Sequence, residues 1–247
     1  MQERTIAVMF KKPVFQIRVS FEAGWLQMGG KTIHISSEDI QADMQKSIWS
    51  IGKNLEKWAD GIIAIDFKHE FMTELAKNCG IPVINGKSNL FDPCRALGDI
   101  FTLKEKKGYL ENLKLAYLGS DKSLCHSLLL VSAKVGIEIH VLVSEACEPD
   151  SIILNQAQKD GAESGFKFTL TSDPAHAANN ADVIYLPDNL LNRQTEKKKT
   201  GNSWYQNIES ILMLTNPGAL IMPFNSWQPS YRIKNEMIDS TGSIVLE

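Results

Sequence analysis

The sequence has no CxxC pair, no strong excess of charge of one sign, and no apolar run near the roughly 18 residues needed to cross a bilayer. Its cysteines, Cys79, Cys94, Cys125 and Cys147, are scattered, with no zinc-type histidine spacing nearby. This excludes a disulfide framework and points to free thiols in a reducing compartment. The histidines, His34, His69, His126, His140 and His176, form no ligand spacing, so neither a metal nor a cofactor is implied. A net charge of −3 gives no reason to expect nucleic acid or an acidic membrane surface as a partner. Glu3, Arg4, Lys11 and Lys12 interrupt the N-terminus, so no signal peptide is expected and the expected location is the cytoplasm.

What is present is ordinary globular composition, 43% hydrophobic and 22% charged, in 247 residues. That length admits one large domain or two of ordinary size. Short apolar runs alternate with amphipathic stretches. Thr5–Phe10, Thr32–Ile35, Gly61–Ile65 and Pro82–Asn85 read as strands. Val14–Met28, Ser47–Trp58, Glu70–Asn78 and Pro93–Leu103 read as helices. The second half repeats the rhythm. Strands are expected at Leu113–Leu118, Glu138–Val143, Lys167–Leu170, Asp182–Leu186, Ala219–Met222 and Ser243–Leu246. Helices are expected at Leu124–Val135, Ile152–Ser164, Asp173–Asn180 and Ser203–Leu214. Strands that are apolar along their whole length, separated by helices, imply parallel sheets covered on both faces. The fold expected is therefore α/β with two doubly wound parallel-sheet domains, 1–108 and 109–247, joined in the charged stretch Lys104–Glu111.

Local motifs read mostly as structure. Gly119-Ser-Asp-Lys-Ser123 lies between a strand and a helix but lacks the second glycine of a phosphate loop, so it reads as an ordinary turn. Cys94 follows Pro93 at a helix start and reads as a packed thiol. Lys197–Lys199 reads as a solvated face.

Several segments, in order and at matching spacing, resemble ornithine carbamoyltransferases. Arg18-Val-Ser-Phe-Glu-Ala-Gly24 with Gly29-Gly30 is similar to the family's segment after its phosphate loop. Pro82-Val-Ile-Asn-Gly86 with Asn89-Leu-Phe-Asp-Pro-Cys-Arg-Ala-Leu-Gly-Asp99 resembles the family's IPVINGLTDLFHPCQALAD. Glu148-Pro-Asp150, Thr171-Ser-Asp-Pro174, Ala181-Asp-Val-Ile-Tyr185, Ile238-Asp-Ser240 and Ser243-Ile-Val245 fit the amino-acid-binding half. The resemblance implies a carbamoyl-phosphate domain followed by an ornithine domain, a site between them, a homotrimer, and no cofactor. It also implies that the family's helix before Thr5–Phe10 and its helix after Glu247 are missing here, leaving a chain truncated at both ends.

The positions that would do the chemistry depart from the family. Its Ser-Thr-Arg-Thr-Arg phosphate loop stands here as Val14-Phe15-Gln16-Ile17-Arg18. The arginine ending its third strand falls on Ile65. The His and Gln of HPCQ fall on Asp92 and Arg95, spaced i, i+3 and able to pair. An acceptor-site carboxylate falls on Pro187, its Ser-Met-Gly on Leu191-Asn192-Arg193, and a cysteine on Ile221. Lys12, Arg18 and Arg95 are left as candidates to hold phosphate. Catalysis of carbamoyl transfer rests on fixed donors aimed at the leaving phosphate. Each charge-assisted bond is worth roughly 1.5–3 kcal/mol, so three or four losses cost on the order of 5–10 kcal/mol. The expectation is therefore a non-catalytic homologue, a pseudoenzyme acting in binding or scaffolding or a decayed paralogue. Such a protein would take a small anionic or amino-acid ligand weakly and form a homotrimer or associate with a related carbamoyltransferase. The alternatives are an active carbamoyltransferase with a rebuilt donor site, or a fragment with no independent role.

Overall fold

The computed structural model describes residues 2–12, 15–36, 38–40, 47–144, 147–186 and 208–223. The described chain forms two compact units, 1–95 and 96–247 by their internal contacts. The expected strand at Ser243–Leu246, the first residues of the expected helix at Ser203–Leu214, and Lys197–Lys199 lie outside the described residues.

The first unit begins with β1 (Thr5–Phe10), α1 (Phe15–Gln27), β2 (Lys31–Ile35), α2 (Ile48–Leu55) and β3 (Gly61–Phe67). It continues with α3 (His69–Asn78) and β4 (Val83–Ser88). Its strands pair in parallel in the order β2-β1-β3-β4. Successive side chains of a strand point to opposite faces, and the two cores follow that alternation. Ile6, Val8 and Phe10 of β1, with Ile63 and Ile65 of β3, pack on Ile17, Phe21 and Trp25 of α1. Ala7, Met9, Ile62 and Ala64 pack on Ile51, Met72 and Leu75 of α2 and α3. Each large side chain removed from water here contributes about 1.5–3 kcal/mol. Gly30 has no side chain because a Cβ would lie 2.2 Å from Nε1 of Trp25, whose indole donates to the carbonyl of Arg4.

The helix α4 (Pro93–Lys107) carries the chain out of the first unit. It runs past the expected end at Leu103. Lys104, Lys106 and Lys107 fall in its last turn, where cations complement the helix dipole. Gly108, at φ +80°, then ends it. The charged stretch that reads as a linker is thus largely helix.

The second unit continues with β5 (Lys114–Tyr117), α5 (Lys122–Val135), β6 (Glu138–Leu142), α6 (Ser151–Asp160) and β7 (Phe168–Thr171). α7 (Pro174–Ala178), β8 (Val183–Leu186), α8 (Ile208–Leu212) and β9 (Leu220–Pro223) follow. The strands pair in parallel in the order β7-β6-β5-β8-β9. Leu115, Tyr117, Val183 and Tyr185 face Leu124 and Leu128 of α5 and Ile100 and Leu103 of α4. Ala116, Leu118, Ile184 and Ile221 face Ala177, Ala178, Ile211 and Leu212. Both sheets are parallel and covered on both faces, the doubly wound α/β architecture that the alternation of apolar strands and helices implies. Among the described residues no helix is long and apolar enough to cross a membrane.

Candidate functional site

Ligand sites of parallel α/β sheets lie outside the carboxyl ends of the strands. At that edge of the first sheet, β1 passes into Lys11 and Lys12, and the Lys11 N–H donates to the Ile65 carbonyl at 3.1 Å. Ile65 is the register partner of Phe10 on one side and of Lys87 on the other. The register slips on both sides of Ile65 along β4. Asp66 accordingly leaves the ladder at φ +64°, a left-handed backbone that costs a non-glycine residue roughly 1–2 kcal/mol. Strain of this kind concentrates at functional sites. The Asp66 carboxylate takes the Lys12 ammonium at 3.4 Å.

A tight turn after β4 fixes the next residues. The Ser88 N–H donates to the Phe91 carbonyl at 2.7 Å, and Ser88 Oγ accepts from the Phe91 N–H at 3.0 Å. The Asn89 side chain accepts from the His69 N–H at 2.8 Å, tying the turn to α3. Asp92 follows immediately before α4 and is 6% exposed. Its carboxylate meets the Lys87 ammonium at 3.3 Å. The Cys94 thiol donates to the Asn85 carbonyl, and burial, reinforced by the Asp92 charge, pushes its pKa up to about 11. Cys94 is therefore a packed thiol and not an activated thiolate.

The sequence candidates separate as follows. Lys12 pairs with Asp66, and Arg18 pairs with Glu22 one turn along α1 at 3.2 Å. Arg95 is half-buried in the first turn of α4. Ile65 is wholly buried against Ile17, Phe21 and Trp25. Phe15 is 77% exposed and is not part of the cluster that buries Ile65. Ile221 lies in the core of the second sheet. Val14 and Pro187 lie outside the described residues, as does the Gln16 side chain and the segment Leu191–Arg193. Lys87 escaped sequence reasoning, because the strand was expected to end at Asn85 and it runs on to Ser88. Its signal was the opposite charge of Asp92, where the family segment quoted above has Leu and His at these two positions.

In the second unit the turn 119–123 has no room for an anion. The Asp121 carboxylate accepts from the N–H groups of Ser123 and Leu124 and so fills the end of α5. Lys122 pairs with Asp150, and His126 Nε2 accepts from the Asp150 N–H at 3.0 Å. No group of histidine, cysteine or carboxylate side chains suited to a metal occurs among the described residues.

Two parallel α/β units, with charged side chains gathered at the carboxyl edge of the first sheet, define a two-domain α/β protein with a candidate ligand site on the first. Known proteins refine this. The model described as aspartate/ornithine carbamoyltransferase, carbamoyl-P binding domain, matches residues 1–105. The model described as the Asp/Orn binding domain of the same enzymes matches residues 111–247. The chain is 32% identical to an ornithine carbamoyltransferase of Thermococcus kodakarensis over 250 residues, covering 100% of this chain and 79% of that protein. It is 42% identical to one from Listeria innocua over 182 residues, covering 74% of this chain and 58% of that protein. Among solved structures, ornithine carbamoyltransferase from Pyrococcus furiosus superposes with TM-score 0.83 at 30% identity, covering 98% of this chain and 79% of that one. A mitochondrial ornithine carbamoyltransferase from Coccidioides immitis gives TM-score 0.83 at 25% identity, covering 100% and 79%. The chain belongs to the aspartate/ornithine carbamoyltransferase family.

These likenesses overturn the expectation of a non-catalytic pseudoenzyme. Both domains match enzymes of one activity along nearly their whole length. The physical error lay in counting lost cations position by position. A phosphate responds to charge at a point in space, whichever strand supplies it.

Proposed function

We propose that the chain is an active carbamoyltransferase that moves a carbamoyl group from carbamoyl phosphate to the amine of an amino acid, with ornithine the first acceptor to test. The observation that carries this reading is the match of both units, in order, to the two domains of ornithine carbamoyltransferases. In this reaction the amine lone pair attacks the carbamoyl carbon. The bond from that carbon to the bridging oxygen breaks, phosphate departs with the electron pair, and the amine loses a proton. The first domain would hold the phosphate through a rebuilt donor site that draws on Lys12, Arg18 and Arg95. Val14, Gln16, Ile65, Asp92 and Arg95 stand where the family has other residues, and a changed donor site is the reading that suits them. The second domain would hold the amino acid, without a thiol at Ile221. A homotrimer, as the resemblance implies, and the cytoplasmic location expected from the charged N-terminus are part of the same proposal.

The test is a colorimetric citrulline assay with carbamoyl phosphate and ornithine, on protein purified from a host lacking its own transferase. Turnover of about 1 s⁻¹ or more, the low end of ordinary enzymes, is the expected outcome. Turnover no faster than the reaction without protein, for ornithine and for a panel of other amino acids, refutes the proposal.

A further inference from the structure

We infer that Lys87 is a further cation of the donor site and meets the phosphate of the acyl phosphate donor at the carboxyl edge of the first sheet. The inference rests on the transferase reading above and names a residue of its donor site. The sheet register carries the argument. Lys87 is the Cα partner of Ile65, the last regular residue of β3 before Asp66 turns out of the ladder. Asp66 in turn takes Lys12, from the end of β1. Lys12, just past the end of β1, and Lys87, near the end of β4, therefore flank β3 at the one edge where a parallel sheet receives its ligand.

The pair with Asp92 suits a fixed phosphate contact better than a purely structural bridge. A carboxylate one residue ahead of α4 already lies in the favourable field of a helix N-terminus. It has less need of a lysine to be stable there. What the 3.3 Å contact does is hold a long, flexible side chain in one place, so that its charge is positioned in advance. The Lys87 side chain keeps 29% of its surface open against 9% for Asp92, so the ammonium can be reached from solvent while its anchor is not. A compact ammonium serves phosphate as a point charge. Both charges are present in this chain where the quoted family segment has Leu and His, which marks them as a unit.

The rival account is that Lys87 only neutralises Asp92, and the experiment separates the two. Inorganic phosphate is titrated calorimetrically into the full chain, the Lys87→Arg variant, and the double variant Lys87→Met/Asp92→Asn. The double variant removes both charges of the Lys87–Asp92 pair together. We expect it to bind phosphate about tenfold more weakly or worse, as the loss of one charge-assisted contact requires, and Lys87→Arg to keep most of the affinity. The KM for carbamoyl phosphate should rise in parallel while the acceptor KM stays put. Near-UV circular dichroism checks the fold, and Lys87→Gln carries the same test if the double variant is misfolded. Unchanged phosphate affinity in a folded variant overturns the inference, as does absence of phosphate binding by the unmodified chain. If phosphate binds through Lys87 but no amino acid is carbamoylated, the transferase reading falls and the assignment of Lys87 stands.

Discussion

The Tyr185 hydroxyl, at the heart of β8, donates to the Asp99 carboxylate of α4 at 3.0 Å, and both residues are buried. This bond fastens α4 to the second sheet. Tyr185 also packs its ring against Tyr117 at a centroid separation of 5.6 Å. Tyr185→Phe keeps the ring and removes only the donor, so the buried Asp99 carboxylate loses a hydrogen bond. The expected cost is about 1–3 kcal/mol. For a chain of this size that is about 2–4 °C of Tm per kcal/mol. A thermal melt of the two proteins measures it, and an unchanged Tm contradicts the argument.

Gly86 and Ile65 are coupled by close approach. A Cβ on Gly86 would lie 2.6 Å from Ile65 Cγ1 and 3.1 Å from Ile63 Cγ2. Ile65 is fully buried and has little room to yield. Gly86→Ala should therefore cost about 1–3 kcal/mol by overpacking. Ile65→Ala alone leaves a cavity and should cost about 2–5 kcal/mol. In the double variant the new methyl occupies part of the vacated space. Urea unfolding of the four proteins should show the double variant losing less than the two single losses added. Strict additivity would mean that the two side chains do not compete for the same volume.

Acid should weaken the first unit through named carboxylates. The Thr5 N–H, then the Arg4 guanidinium, hold the Asp60 carboxyl below its ordinary range. The Gly80 N–H, then Lys53, do the same for Glu56. A depressed pKa in the folded state contributes stability above the unfolded value and loses it as pH falls through the folded value. Stability should thus begin to fall as pH drops to about 4 and keep falling below that. Tm measured across this range for the unmodified protein and Asp60→Asn should show the shallower acid slope in the variant. Parallel slopes would remove Asp60 from the account.

Sequence reading and structure part company at identifiable residues. Thr5–Phe10 was legible to the residue because an uninterrupted apolar run between charges leaves no other choice for a strand covered on both faces. β4 was legible only in its first half. The strand was expected to end at Asn85, yet it continues to Ser88, because Gly86 is there to let Ile65 approach. That misreading hid Lys87 from the candidate site. Lys12 and Arg18 were visible as charges, but their partners Asp66 and Glu22 are set by a backbone turn and a helix face. The alternation that buries Ile65 was also in the sequence, but which face α1 would cover was not.

That burial governs the last prediction. The family resemblance places a donor arginine at Ile65; if that were all the donor site needed, Ile65→Arg would improve carbamoyl phosphate binding. The surroundings argue otherwise. Ile65 has no exposed surface and packs with Phe10, Ile63, Ile17, Phe21 and Trp25. A Gly86 Cβ would already collide with its Cγ1, so no slack exists for a longer side chain. A guanidinium forced into this cluster would leave water for apolar partners, a cost of at least several kcal/mol for an unpaired charge. The nearest carboxylate along the chain, Asp66, is already committed to Lys12. Ile65→Arg should therefore destabilise the protein by more than about 3 kcal/mol and lower the yield of folded protein without raising turnover. Urea unfolding and the citrulline assay on the soluble fraction test both halves. A stable variant with a lower KM for carbamoyl phosphate would show that α1 yields to admit the arginine, and that the donor site can be restored at its familial position.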